Sequence, residues 1–481
     1  MSKLRRSPFK VNIPEKNPNA FGLRTKEISA CAEALFNYRN VLISGPRGIG
    51  KSSLANQLQT ILEGDNTLLL RCGIDATFPK TLCLFHACDV ENTLEQLALD
   101  ILYNIEQKCL LLKQNGHANI KPTFEINLGV FKATLESGAG IRKRSPATVA
   151  NQLVAGLSSA LATLTKNRLF EGINILIDEI DQLASEINFG HFMKIVHEAI
   201  NNQGLQGVTF ILAGQKGVYK RFVSEDESFE RLIRHVPIST LDADASDHVL
   251  EFAATQATPK FKIDEKGKAL ILSISSGYPY VLHLLGDSAY IVMEDLRKMT
   301  FQDVIDGIEI VLNSDKREKY LERLKDSTKQ ERHILLTLAE YSPQSLPARI
   351  PVEWLSQRLL DYFTDKKELE NALEALVHKG HLTLRNDKSV CVFSEELFRI
   401  FISMMRIEQH EFQLRKATKE AQKRWQDEED KKLVSTIHAG QRDFWESLDE
   451  SEKKMVLQKI KNDLRSAEHS MDWDDDFGDM I

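Results

Sequence analysis

Hydrophobic and polar positions predict alternating strands and helices over the first 240 residues. The predicted strands are short apolar runs, at residues 40–43, 81–87, 173–177 and 208–213. The predicted helices have apolar residues at three- and four-residue spacing, at residues 25–38, 52–62, 94–112 and 147–166. The run at 173–177 is apolar throughout, as in a parallel sheet buried on both faces. The pattern therefore predicts an α/β doubly wound core.

The pattern changes after about residue 243, where it becomes all-helical up to about residue 325. The next stretch predicts three helices and then two short strands, at residues 330–341, 351–360, 366–379, 382–384 and 390–393. Three helices followed by a β-hairpin is the order of elements in a winged-helix domain. This order predicts such a domain at residues 327–404.

Composition limits the class of protein. A chain of 481 residues exceeds a single ordinary domain, and 42% hydrophobic with 27% charged residues is typical of a globular protein in water. No stretch reaches the roughly 20 apolar residues of a membrane span, and the N-terminus lacks the apolar core of a secretory signal. Six cysteines without a CxxC pair fit a reducing compartment. We therefore expect a cytoplasmic protein with no membrane partner.

The loop after the first predicted strand carries the strongest chemical signal. Residues 45–52 match the pattern GxxxxGK[ST] in full, between an apolar strand and an amphipathic helix. In this pattern backbone N–H groups surround phosphate oxygens, Lys51 meets the β and γ phosphates, and Ser52 ligates Mg²⁺. The alternative, a chance glycine turn, does not account for both flanks. The predicted ATP-binding residues are Gly45, Pro46, Arg47, Gly48, Ile49, Gly50, Lys51, Ser52 and Ser53.

Two adjacent carboxylates end the apolar strand at 173–177. Ligands of open α/β sheets lie at the carboxyl ends of the strands. Asp178 is therefore expected to hold Mg²⁺ through water, and Glu179 to polarise the attacking water as the catalytic base. The alternative is an acidic strand end that caps the next helix. Asp181 is assigned a structural role.

These two motifs resemble those of the AAA+ and STAND ATPases, and most closely the archaeal-type, origin-recognition-like members with a C-terminal winged helix. The resemblance covers roughly residues 18–400. Residues 21–27 resemble the F-x-GR-x-x-E segment, which places an arginine near the adenine. In this chain Leu23 separates Gly22 from Arg24.

The resemblance implies three further site residues. Gln215, after the strand at 208–213, would be the sensor that reads the γ phosphate, unless it is a plain loop residue. Arg231, with Arg234 as second candidate, would be an arginine finger that enters a neighbouring subunit's ATP site and so implies self-assembly. The alternative is a surface arginine. Pro279, in a GxP turn, would pack by the adenine, and the absence of a sensor-2 arginine nearby favours the switch-like members.

The predicted organisation combines these features. It comprises an extended N-terminal segment (1–20), a P-loop nucleotide-binding core (21–242) with a β-rich insertion (113–145), a helical lid (243–325), the winged helix (327–404) and a charged helical extension (405–481). The acidic end of this extension surrounds Trp473 and Phe477 with aspartates. It resembles acidic-aromatic tails that dock protein partners, the alternative being an acidic disordered tail.

Two functions remain open for the predicted ATP-hydrolysing switch. The first is a DNA-associated ATPase, an initiator, loader or transposition-type regulator that contacts DNA through the winged helix. Residues 365–395 carry five basic and six acidic residues, and a net charge of −7 for the chain gives no general attraction to nucleic acid, so the module could equally dock protein. The second is an oligomerising signalling ATPase in defence against mobile elements, acting through a partner effector. A metabolic kinase is disfavoured, because the lid and the winged helix are not expected of one.

Overall fold

The computed structural model describes most of the chain in two compact units. Its described residues are 6–114, 145–313, 316–341, 349–359, 362–363, 366–385, 387–395, 397–403, 405 and 449. One unit is Ile13–Thr240, and the other joins residues 6–12 to the residues from Leu241 onward. The predicted insertion at 113–145 and the extension at 405–481 lie almost entirely outside the described residues.

The first unit is built on a five-stranded parallel sheet. Its strands are β1 (Asn40–Ser44), β2 (Thr81–Ala87), β3 (Gly172–Asp178), β4 (Val208–Gly214) and β5 (Ile233–Pro237). They lie in the order β2-β3-β4-β1-β5 and every pairing is parallel. The four predicted strands are confirmed. The edge strand β5 was not predicted, because Arg234 and His235 interrupt its apolar pattern.

Eight helices accompany this sheet in the described residues. They are α1 (Thr25–Phe36), α2 (Lys51–Leu62), α3 (Thr67–Arg71), α4 (Leu94–Gln114), α5 (Pro146–Lys166), α6 (Phe189–Asn202), α7 (Val218–Glu225) and α8 (Phe229–Leu232). The four predicted helices correspond to α1, α2, α4 and α5. All seven residues of β3 and of β4 are buried, so helices cover both faces of the sheet.

The helix α5 is long and apolar enough to cross a membrane by length and composition alone. In the fold it packs between α4 and α6 and against β3. Half of the apolar 18-residue stretch of this helix is buried inside the unit. Its hydrophobic character is explained by this place in the core of the first unit.

The second unit begins with the predicted lid. Its helices are α9 (Ala243–Gln256), α10 (Glu265–Ser275), α11 (Pro279–Val292), α12 (Phe301–Asn313) and α13 (Arg317–Lys325). The all-helical prediction is wrong at one point, since β6 (Lys262–Ile263) and β7 (Lys298–Met299) form a small parallel sheet. Two residues are too few to give a strand its alternating pattern.

The second unit continues with the elements predicted as a winged helix. They are α14 (Lys329–Ala339), β8 (Ile350–Pro351), α15 (Val352–Leu359), α16 (Lys366–His378), β9 (Leu382–Arg385) and β10 (Val390–Phe393). The strands form an antiparallel sheet in the order β8-β10-β9. The three predicted helices and the hairpin are present, and β8 is an added strand.

Candidate nucleotide-binding site

The predicted phosphate loop follows directly from β1, whose five residues are all buried. Gly48 and Gly50 have φ angles of 79° and 98°, which residues with a side chain rarely adopt. A Cβ on Gly45 would lie 3.0 Å from the Ile49 side chain and 3.4 Å from the Ile238 carbonyl oxygen. Gly50 of the pattern is thus required by its φ angle, and Gly45 lies where an added Cβ would crowd Ile49 and Ile238.

The helix α2 starts at the end of this loop. Gly50 occupies its N-cap position in the left-handed conformation, and no side chain caps the first turn. The first backbone N–H groups of a helix have no partner within the helix, and they carry a partial positive charge. The loop and the start of α2 therefore form the kind of anion site that binds phosphate groups.

The side chain of Lys51 lies among opposite charges. Its Nζ donates hydrogen bonds to the carbonyl oxygens of Gly45 and Pro46, each at 3.1 Å. Burial lowers the pKa of Lys51, and the charges of Asp181, Asp178 and Glu179 act against this shift. The structure thus brings the loop lysine within electrostatic range of the predicted acidic residues.

The carboxyl end of β3 presents two different carboxylates. Asp178 is 5% exposed, whereas Glu179 is exposed. The backbone N–H of Glu179 donates to Asp178 Oδ1 at 2.8 Å. Glu179 has a φ of 53°, a left-handed conformation that costs a non-glycine residue about 1–2 kcal/mol. This bend ends the strand and leaves Glu179 accessible to solvent, as a residue that activates water must be.

The end of β4 lies beside the end of β3, since the two strands pair in register. Gln215, the predicted sensor, is exposed just beyond β4, and its backbone N–H donates to Asp181 Oδ1 at 2.8 Å. Arg221 on α7 donates to the carbonyls of Ile180 and Leu183. The carboxylate of Asp181 therefore joins the turn that follows β3 to the loop that follows β4. The only sequence feature that put Asp181 near the site was its position three residues after Asp178.

The predicted arginine finger lies on the surface of the first unit. Arg231 is in α8 and exposed, and among the described residues its guanidinium has no hydrogen-bond or ion-pair partner. Arg234 is also exposed, on β5. The role of Arg231 in a neighbouring subunit stays a prediction.

Pro279 belongs to the second unit, where it is the first residue of α11. The turn before it is formed by Ser276 and Gly277, which have φ angles of 50° and 74°. The predicted contact of Pro279 with the adenine stays a prediction.

The predicted magnesium ligands lie at the start of α2 and the end of β3. Within the described residues no group of three or more His, Cys, Asp or Glu side chains could hold a metal ion by itself. Mg²⁺ is usually bound by one or two protein groups together with nucleotide phosphates and water. Ser52 and the buried carboxylate of Asp178 are oxygen donors of the right type.

The five-stranded parallel sheet and the loop after β1 define a domain with the fold of P-loop NTPases. The amino-acid sequence matches no protein-family model and no curated protein. The structure is similar to the Walker-type ATPase PABY2304 of Pyrococcus abyssi, with a TM-score of 0.52 and 16% identity over 81% of this chain and 98% of that one. The chain thus has the fold of a Walker-type ATPase, which confirms the predicted fold class.

Two further matches are proteins of Aeropyrum pernix. Its ORC2 protein, in ADPNP–ADP complexes, has a TM-score of 0.48 and 16% identity over 84% of this chain and 98% of that one. Its ORC1 protein, in complex with DNA, has a TM-score of 0.41 and 16% identity over 84% of this chain and 97% of that one. At these TM-scores they are similar only in broad outline.

Proposed function

We propose that this chain is an ATP-binding and ATP-hydrolysing switch of the AAA+/STAND type. The observation that carries the proposal is the placement of Lys51, in a complete phosphate loop, within electrostatic range of Asp178 and Glu179 at the end of β3. Phosphoryl transfer needs positioning and charge stabilisation more than covalent chemistry, and this site offers both.

Each residue of the site has a role in this proposal. Lys51 and the N–H groups of the loop bind the β and γ phosphates, while Ser52 and Asp178 hold Mg²⁺, which neutralises phosphate charge when bound. The exposed carboxylate of Glu179 accepts a proton from the attacking water, and Gln215 contacts the γ phosphate. Arg231 of one subunit completes the site of its neighbour.

A partly buried ionic cluster supports the proposed switch. Glu395, just after β10, accepts hydrogen bonds from Tyr320 at 2.7 Å, Arg323 at 3.0 Å and Lys316 at 3.2 Å. Lys316 also lies 4.6 Å from the ring centre of Tyr280, the residue after Pro279. The cluster therefore ties the turn of the lid to the domain that follows it. A movement of the lid would be passed to that domain.

A DNA-associated role is the first form of the proposal. The order of elements from α14 to β10 is that of a winged helix, in which α16 would enter the major groove. On the exposed side of α16, however, Glu370 lies 3.7 Å from Lys366 and Glu374 lies 2.5 Å from Lys388. These pairs offset the charges of Lys366 and Lys388, two of the lysines that would meet phosphates. This observation favours the second form, a signalling switch that docks a protein partner.

The nucleotide site is tested with Lys51→Ala. The substitution removes the charge that meets the β and γ phosphates, so affinity for a fluorescent ATP analogue should fall at least tenfold, about 1.4 kcal/mol. The circular dichroism spectrum serves as the control for folding. Unchanged affinity in a folded variant would contradict the assignment of the phosphate loop.

The two forms are separated by the response of ATP turnover to DNA. A DNA-associated ATPase should bind a labelled duplex and hydrolyse ATP severalfold faster in its presence, and not in the presence of heparin, a polyanion without bases. Equal rates with and without the duplex, together with no binding of it, would exclude the DNA role. The signalling form would then remain.

A further inference from the structure

We propose that Arg24 is a positioning residue for nucleotide binding, an inference that rests on the proposed function. Arg24 directly precedes α1, and its side chain is only 3% exposed. One guanidinium nitrogen donates to the carbonyl oxygen of Ile49, in the phosphate loop, at 2.7 Å. The other donates to the carbonyl oxygen of Ser239, beyond β5. The guanidinium thus joins the loop to a distant segment of the same unit.

Glu27 completes this network from the first turn of α1. Its Oε1 lies 4.0 Å from the guanidinium of Arg24. The same oxygen accepts hydrogen bonds from Ser239 Oγ at 2.9 Å and from the Ser239 backbone N–H at 3.4 Å. A buried charge is tolerated when it is paired and hydrogen-bonded. Here the pairing also fixes both the N–H and the carbonyl of Ser239.

The two segments that Arg24 joins also meet directly. The backbone N–H of Ile238 donates to the Ser44 carbonyl at 2.8 Å, just before the loop. Ile49 is 1% exposed, so its carbonyl has no access to bulk water as an alternative partner. Ser239 lies two residues before Leu241, where the second unit begins. Arg24 therefore holds the loop to the backbone that leads out of the core.

An arginine suits this place better than a lysine. The planar guanidinium offers donors on separate nitrogens in fixed directions, so it bridges two carbonyl groups that lie apart, whereas the three donors of an ammonium share one nitrogen. A loop that is fixed before the ligand arrives loses less conformational entropy on binding. The fixed loop therefore strengthens binding of the nucleotide in the ground state and does not add interactions that form only in the transition state. Loss of Arg24 should therefore change KM and leave kcat unchanged.

The test compares Arg24→Lys with the matched control Arg71→Lys. Arg71 also donates to two backbone carbonyls of the first unit, those of Pro18 and Phe21, and neither belongs to the phosphate loop. Loss of a charge-assisted hydrogen bond in Arg24→Lys should raise KM and the Kd of a fluorescent ATP analogue about tenfold, with kcat within about twofold of wild type. In the control all three constants should stay within about twofold.

Two outcomes would overturn the role of Arg24 alone. One is an unchanged KM in folded Arg24→Lys, and the other is an equal rise of KM in Arg71→Lys, which would reflect general loosening of the unit. If Arg24→Lys does not fold, Glu27→Gln takes its place, because it keeps the acceptor for Ser239 and removes the charge beside the guanidinium. This variant should raise KM about threefold, and an unchanged KM would overturn the role. Wild-type protein without measurable ATP affinity would instead overturn the proposed function, and this inference with it.

Discussion

At the scale of single residues, Gly277 shows how the backbone dictates a residue type. It has a φ of 74°, and a Cβ at this position would lie 2.1 Å from the carbonyl oxygen of Leu241. The Leu241 N–H in turn donates to the Gly277 carbonyl at 2.8 Å. The GxP turn is thus packed against the start of the second unit.

Gly277→Ala should therefore destabilise the protein by about 3 kcal/mol or more, since strain in φ adds to a backbone clash. Gly380→Ala is the matched control, because Gly380 has a φ of 76° with no atom within 4 Å of the added Cβ. It should cost only about 1 kcal/mol. Free energies of unfolding from urea titrations provide the comparison. Equal losses in the two variants would show that the contact with Leu241 is unimportant.

His381, between α16 and β9, is a buried residue of a different kind. Among the described residues neither of its ring nitrogens has a hydrogen-bond partner. Burial lowers its pKa, and the positive charges of Arg323 and Lys379 lower it further. The folded state therefore holds His381 neutral at a pH where the unfolded chain already binds a proton.

This difference predicts a loss of stability in acid. An unfolded histidine has a pKa of about 6.5, so as pH falls below this value the unfolded state gains protons first and stability declines. Above this pH, protonation of His381 no longer affects the stability of the fold. The drop in Tm from pH 7.5 to 5.5 should be smaller in His381→Leu than in wild type. A drop as large in folded His381→Leu as in wild type would refute the role of His381.

At the scale of elements, the sequence predicted what local patterns encode. The strands β1 to β4 and the long helices follow from apolar periodicity, and the phosphate loop follows from eight consecutive residues. The network of Arg24 could not be predicted in this way, because Arg24 and Ser239 lie 215 positions apart. The position of Gln215 against Asp181 likewise depends on the pairing of two strands rather than on either segment alone.

The edge strand β5 and the short helix α8 account for most of the remaining differences between the predicted and the observed elements. The strand β5 has exposed residues within it, as expected of the outer strand of a sheet, so its pattern resembles a loop. The short helix α8 has four residues, too few to show helical periodicity. Both carry the predicted finger residues, Arg234 and Arg231. The predicted finger residues therefore lie where sequence patterns are weakest.

At the scale of the whole molecule, the proposed role of Arg231 as an arginine finger predicts catalysis between subunits. A finger that acts in trans makes ATP turnover per subunit rise with protein concentration. Arg231→Ala should lower turnover and leave nucleotide affinity nearly intact, because a finger acts on the transition state. Affinity for the fluorescent ATP analogue and turnover at several protein concentrations provide the measurement.

Mixing two inactive variants gives the control. Arg231→Ala keeps an intact ATP pocket, and Lys51→Ala keeps an intact finger for its neighbour. The mixture should regain some turnover that neither variant has alone. If the mixture stays inactive and turnover is independent of concentration, residues 228–241 are an ordinary connection to the lid. The proposed protein contact of the acidic tail lies outside the described residues and is independent of this result.

The central claim is that the acidic end of β3 faces a bound nucleotide and activates water. Glu179→Gln keeps the shape of the side chain and removes the base, so it tests this claim most directly. We expect ATP affinity close to wild type and turnover lowered by about a hundredfold or more, the usual effect of losing a positioned base. Turnover close to the wild-type rate, with ATP still bound, would contradict the account.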